Sequence, residues 1–266
     1  LAGKAKEDKK EAVLFSRQGH VGVITLNRPE AMNSLNGPLC SRLSEILEAI
    51  ERDDDIHAAI ITGAGEKAFC AGIDLRERHG MSDGDVNALR RFVIFPVFRQ
   101  LEALSKPLIG AINGLALGGG AEIALLCDIR IASENARFGQ AEVKWAIIPA
   151  AGACQRLPNI VGVGRAKELL LTGRIVNADE GERIGLYNHL ATAQDLPGKA
   201  METAQMIAEN GPVAVRQIKK AIYMGTENQL ALAFDREASE ICYHTQDRLE
   251  GVAAFNEKRK PNYRGK

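Results

Sequence analysis

Short apolar runs punctuated by glycine and proline alternate with helically spaced segments through the first half of the chain, and helical spacing dominates the last third. Segments 11 to 18 and 20 to 27 are rich in β-branched residues and parted by Gly19, a pattern that predicts an opening β-hairpin, closed off by Pro29. From 38 to 52, Leu39, Leu43, Ile46, Leu47 and Ile50 recur on one helical face, and Ala58 to Thr62 reads as a buried strand. A long amphipathic helix is expected at 84 to 104 behind a Ser82-Asp83 cap, followed by a buried strand from Pro107 to Ile112. Cys127 to Ala132 adds another strand. Beyond it the spacing predicts helices over 162–171, 179–184, 195–209, 212–224, 228–243 and 246–256. The chain therefore reads as α/β, with a sheet-based core over residues 11–195 and a helical C-terminal region over 196–266. Gly211-Pro212 is a helix break, and no low-complexity tether separates the two parts. Helices of this length are marginal alone in water, so the tail must bury its apolar faces on the core, on itself or on another subunit. Oligomerisation is the expectation.

Composition narrows the classes. Of 266 residues, 45% are hydrophobic and 26% charged, which suits an ordinary globular chain large enough for a sizeable core. Thirty-four basic and thirty-four acidic residues cancel, so no overall field attracts nucleic acid or a membrane surface. Cys40, Cys70, Cys127, Cys154 and Cys242 are odd in number and lack metal-ligand spacing, which predicts reduced thiols and no structural metal. The run from Leu108 to Leu126 is broken by Asn113, glycines and Glu122, so no membrane span is expected. The charged first ten residues have no apolar h-region and read as a mobile tail, in keeping with a cytoplasmic protein or one of the mitochondrial matrix.

Two glutamates carry the candidate chemistry. Glu122 sits among Ala121, Ile123, Ala124 and Leu125, and Glu142 precedes Val143, Trp145, Ile147 and Ile148, surroundings in which an ionised carboxylate is hard to solvate. A lone glutamate in such a place is more often a partner to an arginine or a buried amide. The neighbouring glycines change the balance. Gly118-Gly119-Gly120 follows one strand and opens a helix-compatible run, and Lys67 to Asp74 forms a second loop after another strand. Taken alone, the triple glycine signals a tight, closely packed turn more readily than a donor site. Neither a Gly-x-Gly-x-x-Gly spacing nor a glycine loop ending in Lys-Ser/Thr is present, which disfavours a phosphate cradle. Two backbone amides converging on an oxygen that turns negative fit better, an oxyanion hole without a serine nucleophile.

From about residue 20 onward the sequence resembles the enoyl-CoA hydratase (crotonase) superfamily. The resemblance rests on Phe69-Cys-Ala-Gly-Ile-Asp74, Asn113-Gly-Leu-Ala-Leu-Gly-Gly-Gly120 with Glu122 and Cys127-Asp128, and Phe138-Gly-Gln-Ala-Glu142. Ile148-Pro149, Gln155-Arg-Leu157, Thr172-Gly-Arg174, Glu250-Gly251 and Ala254-Phe-Asn-Glu-Lys-Arg259 complete it. It implies a spiral of ββα units with a helical C-terminal trimerisation region, assembled as a trimer or a hexameric dimer of trimers. The implied activity, within fatty acid metabolism, is reversible syn addition of water across the 2,3 double bond of an enoyl-CoA thioester. No cofactor is implied, because coenzyme A is part of the substrate. Carried over by position, the Ile73 and Gly119 amides hold the thioester oxygen, Ala71 lies near the adenine, and Glu122 and Glu142 flank the alkene. On that reading Glu122 activates water for attack at C3 and a protonated Glu142 supplies C2. Lys258, with Arg259 and Lys260, either meets the CoA phosphates or is a solvated tail.

Some positions depart from the family pattern. Pro149-Ala-Ala-Gly-Ala-Cys-Gln155 replaces a glycine-rich run, and Ala141 stands where proline is common. Ala150 and Ala153 are expected beside the water and acyl chain, where their methyls would narrow the pocket. Leu75-Arg-Glu-Arg78, Met81-Ser82, Cys242-Tyr243 and Asp247 to Gly251 are similar to the methylglutaconyl-CoA hydratase branch. The alternatives are that hydratase, a Δ3,Δ2-enoyl-CoA isomerase that typically needs only one glutamate, an RNA-binding member of the same branch, and a scaffold without catalysis. Against RNA binding, Gly37, Ser41, Arg42, Glu45, Glu48 and Arg52 give the first helix no basic stripe. The five histidines show no ligand spacing, and only His79 is placed to line a pocket. Trp145 and Phe138 read as core, Cys70 as packing, and Asp74 as a brace for its loop.

Overall fold

A computed structural model describes residues 11–77, 80–226, 240, 243–259 and 261. Strands β1 (Val13–Gln18) and β2 (Val21–Leu26) form the expected antiparallel hairpin, turning at Gly19 with φ of 59°. Helix α1 (Gly37–Arg52) follows, capped by Asn36, whose side chain accepts from the Leu39 amide at 3.0 Å. Its buried face includes all five residues that the spacing selected, Leu39, Leu43, Ile46, Leu47 and Ile50.

The chain then winds through three similar turns. Each gives one strand to a large sheet, a three-residue strand to a smaller one, and a helix. The first turn has β3 (Ala58–Gly63), β4 (Ala68–Cys70) and a helix in two parts, α2 (Asp83–Leu89) and α3 (Phe95–Ala103), joined through a π-helical stretch at Arg90–Ile94. Ser82 caps it in a reciprocal box with Asp85. The second has β5 (Leu108–Ile112), β6 (Leu115–Leu117) and α4 (Gly119–Leu126). The third has β7 (Ile129–Ser133), β8 (Arg137–Gly139) and α5 (Ala153–Val161). After α6 (Val163–Thr172) come β9 (Ile175–Asn177), α7 (Ala178–Arg183) and β10 (His189–Ala191). The sheets run β1-β2-β3-β5-β7-β10 and β4-β6-β8-β9, parallel except at β1–β2 and β8–β9. This mixed α/β architecture is the fold class expected from the sequence.

The main core lies between the two sheets and the helices, with Ile24, Leu26, Leu43, Ile61, Phe69, Ile112 and Phe138 fully enclosed. A second layer forms where α8 (Leu196–Ala208) lays Leu196, Ala200 and Ala204 against Val21, Ile60, Ile109 and Ile131 of the large sheet. Small residues on α8 allow that close approach, so the helix covers one sheet face. Helix α9 (Pro212–Thr226) begins at the predicted break and is tied back by Lys219, whose Nζ donates to Asp128 Oδ2 at 2.8 Å and to the Lys106 carbonyl at 3.0 Å. A C-terminal helix spans Gln246–Asn256. The helix expected over 228–243 falls almost entirely outside the described residues. Among the described residues no helix is long and apolar enough to cross a membrane.

Candidate active site

The loop after β4 is built from both sides. Arg28 donates from Nη2 to Asp74 Oδ2 at 2.9 Å and from Nη1 to the Ser34 carbonyl at 2.6 Å, while the Arg76 amide donates to Asp74 Oδ1 at 3.0 Å. Asp74 thus braces the loop, and Arg28 is the partner the sequence did not reveal. Leu35 pairs alongside: its amide donates to the Gly72 carbonyl at 2.7 Å and its carbonyl accepts from the Asp74 amide at 2.8 Å. Gly72 O and Asp74 N therefore face Leu35, so the amide between them, on Ile73, faces the opposite way. Ile73 is among the residues that line a cavity of about 390 Å³.

The second donor comes from the start of α4. Gly119 is its first residue, so its N–H has no acceptor within the helix and stands at the positive end of the helix dipole. Gly118 reaches this turn with φ of 49° and ψ of −124°, a backbone shape essentially reserved for glycine. The two loops touch: a methyl built on Gly72 would stand 3.3 Å from the Gly119 nitrogen, and one on Gly120 only 1.9 Å from the Cys70 carbonyl oxygen. Side chains at these positions would push the loops apart.

Strand pairing brings in the first acid. The Gly118 amide donates to the Gly139 carbonyl at 3.0 Å, so the turn after β8 lies beside the glycine turn. Glu142 opens a short 3₁₀ helix there, Glu142–Trp145, and a methyl on Gly118 would come 3.2 Å from its Oε1. The side-chain amide of buried Gln140 lies against the carboxyl; in the orientation that puts its nitrogen there, it donates to both Glu142 oxygens at 3.0 Å. Part of Glu142 opens to the cavity, yet protein surrounds it on the other sides. Burial, then the nearby charge of Glu122, pushes its carboxyl up to about 8. The second acid, Glu122, is in the first turn of α4 at 6% exposure, and its Oε1 accepts from the Ala151 amide at 2.6 Å.

Ala71, Ile73, Gly119 and Glu142 all line the cavity, together with Met32, Trp145, Tyr243 and Phe255. Ala150 lies instead in a small neighbouring crevice with Phe95, Phe98 and Arg99, and Ala153 is buried at the start of α5. Lys258 is exposed and outside the cavity lining, and adjacent Arg259 is engaged by Glu250 and Glu257 at 2.5 Å each. Trp145, expected in the core, is instead half-buried on the cavity wall, where Phe255 of the C-terminal helix meets it edge-on at 4.9 Å. Phe138 is core, as its strand pattern predicts. Cys70 is fully buried and its thiol is raised to about 12 by desolvation, which leaves no thiolate for nucleophilic work. His79 lies outside the described residues.

A larger cavity, about 540 Å³, is lined by Leu125, Leu126, Arg130, Arg156, Ile218 and Tyr223 among others. It shares no lining residue with the first and contains neither donor loop. The smaller one is therefore the candidate site, lined by Ile73, Gly119 and the Glu142 carboxyl of raised proton affinity.

Residues 16–266 match the enoyl-CoA hydratase/isomerase family. The chain is 47% identical over 262 residues to a putative enoyl-CoA hydratase/isomerase, YngF, of Bacillus subtilis, covering 96% of this chain and 99% of that protein. It is 46% identical over 252 residues to a short-chain-enoyl-CoA hydratase of Clostridium acetobutylicum, covering 93% and 95%. Among solved structures, an enoyl-CoA hydratase of Bacillus anthracis superposes with a TM-score of 0.79 at 44% identity, covering 96% of this chain and all of that one. A carnitinyl-CoA hydratase of Mycobacterium avium gives a TM-score of 0.87 at 32% identity, covering 97% and 100%.

Proposed function

The chain belongs to the enoyl-CoA hydratase/isomerase family, and from that premise we propose a division of labour for its hydratase reaction. The thioester carbonyl of a short-chain 2-enoyl-CoA accepts from the Ile73 and Gly119 amides. Glu122, ionised, removes a proton from water as the water oxygen bonds to C3. The electron pair of the double bond moves onto the thioester oxygen, where the two amides stabilise the enolate-like charge more strongly than they stabilise the neutral carbonyl. Glu142 then delivers its proton to C2. The result is a 3-hydroxyacyl thioester, with Glu122 protonated and Glu142 ionised until solvent exchange resets them. With both carboxyls on one face of the alkene, the hydroxyl and the hydrogen add to that face, a syn addition.

The observation that carries this reading is the raised proton affinity of Glu142, set by burial and then by the charge of Glu122, in a cavity that Ile73 and Gly119 also line. An acid near neutrality can both hold and release its proton. Isomerisation of a 3-enoyl-CoA needs one base to move one proton between carbons and gives the second carboxyl no task. The substrate brings its own coenzyme A, so no further cofactor enters the scheme. Self-association fits the exposed Val213, Ile218 and Ile222 on α9. Mixing the protein with crotonyl-CoA tests the activity: the enoyl-thioester absorbance should fall as the 3-hydroxy product forms. Conversion of a 3-enoyl-CoA to its 2-enoyl isomer with no hydration would replace this reading.

A further inference from the structure

The segment that holds Glu122 is itself clamped from behind. The Ala151 amide donates to Glu122 Oε1 at 2.6 Å, and the carbonyl of the same residue accepts from Arg156 Nη1 at 2.6 Å. Arg156 Nη2 pairs with Glu102 Oε1 on α3, and the Tyr223 hydroxyl on α9 donates to that same oxygen at 3.1 Å. The Arg156 and Glu102 side chains are only 7% and 16% exposed. Residue 151 precedes Gly152, whose φ of 96° places the turn where glycine is favoured and where the α5 helix starts. Without the guanidinium, residue 151 would lose its hold on the carbonyl side, and the position of its N–H against Glu122 would be less tightly fixed.

We propose that Arg156, anchored by Glu102, is a positioning residue for the catalytic base: it fixes residue 151 so that its amide holds the Glu122 carboxylate in line for water. The proposal rests on Glu122 being the base, and it assigns to the Arg156–Glu102 pair a task in catalysis apart from its share in packing. The effect on rate is through geometry. A displacement of about 1 Å at a reacting group costs about 10²-fold in rate, whereas thioester binding through Ile73 and Gly119 is left in place.

The test compares Arg156→Gln, Arg156→Lys and the paired Glu102→Gln/Arg156→Gln variant, which leaves no uncompensated buried charge, in the full-length protein with crotonyl-CoA. Each is also made with Glu122→Gln. Arg156→Gln and the paired variant should lower kcat by about 10²-fold with KM changed less than about threefold. Lysine, which can still donate to the Ala151 carbonyl, should recover at least about a tenfold share of that loss. In the Glu122→Gln background the same substitutions should lower the remaining kcat by less than about twofold. A full, undiminished loss in that background would show that Arg156 acts elsewhere and overturn the proposal, as would unchanged kcat in the folded paired variant. Near-normal kcat for Glu122→Gln alone would instead overturn the assignment of the base, and the positioning role with it.

Discussion

Replacing Glu142 with glutamine should change how stability responds to pH, and the direction follows from the site. Burial, followed by the Glu122 charge, raises the folded-state carboxyl from 4.5 to about 8. Between those two values the folded protein keeps a proton that the unfolded chain has released. Stability is therefore lost as pH rises from the lower value to the higher, and the whole penalty is in place beyond it. At about 1.36 kcal/mol for each pH unit of that interval, the penalty has an upper limit on the order of 5 kcal/mol. The proton belongs to the Glu122–Glu142 pair as much as to one residue, so about 2 to 3 kcal/mol is the working value. Glutamine fills the same space and never ionises. The melting temperature of Glu142→Gln relative to the parent should thus increase by about 5 to 10 °C between about pH 5 and about pH 9. Thermal unfolding followed by circular dichroism across that range provides the assay. A difference independent of pH would mean that Glu142 is ionised throughout, and the acid role assigned to it would fall.

Three other changes probe separate parts of the site. Glu122→Gln should lower kcat by at least about 10²-fold while KM stays within a few-fold, read from steady-state hydration of crotonyl-CoA; retained kcat contradicts its role as base. Gly120→Ala puts a methyl 1.9 Å from the Cys70 carbonyl oxygen, and because backbone stands on both sides, the variant should lose at least about 2 kcal/mol of stability together with activity. Unchanged denaturant unfolding would show that the loops are not packed so closely. Asp74→Asn weakens the charged contact from Arg28 and should cost roughly 1.5 to 3 kcal/mol, with kcat falling as the Ile73 amide loosens; a stability loss with full kcat would detach this brace from the donor.

Much of this arrangement was visible in the chain, for reasons that differ by element. Helix α1 and the strands β3 and β5 carry clear apolar periods, which predict each to within about two residues. The strands of the smaller sheet, such as β4 and β6, have three residues each and give no period to read. Their place is set by pairing with one another. Helix α5 shows no clear period in the sequence, because Gly152 and the internal Pro158 break its signal. The two acids stood out because a glutamate among alanines and leucines demands an explanation. What holds them did not: Ala151 is a backbone donor with an ordinary side chain, and the Arg156–Glu102 pair joins positions 54 residues apart. Apolar neighbours predict a core position for Trp145, yet the 3₁₀ helix that carries it ends in a left-handed turn at Ala146, φ of 54°, and the ring lines the cavity wall.

The central claim is geometric, and a crystal structure with a slowly reacting acyl-CoA thioester tests it most directly. The thioester oxygen should lie about 2.7 to 3.1 Å from both the Ile73 and Gly119 nitrogens, with the Glu122 and Glu142 carboxyls on one face of the C2–C3 bond. A thioester oxygen bound by other donors, or carboxyls on opposite faces of that bond, would contradict the account.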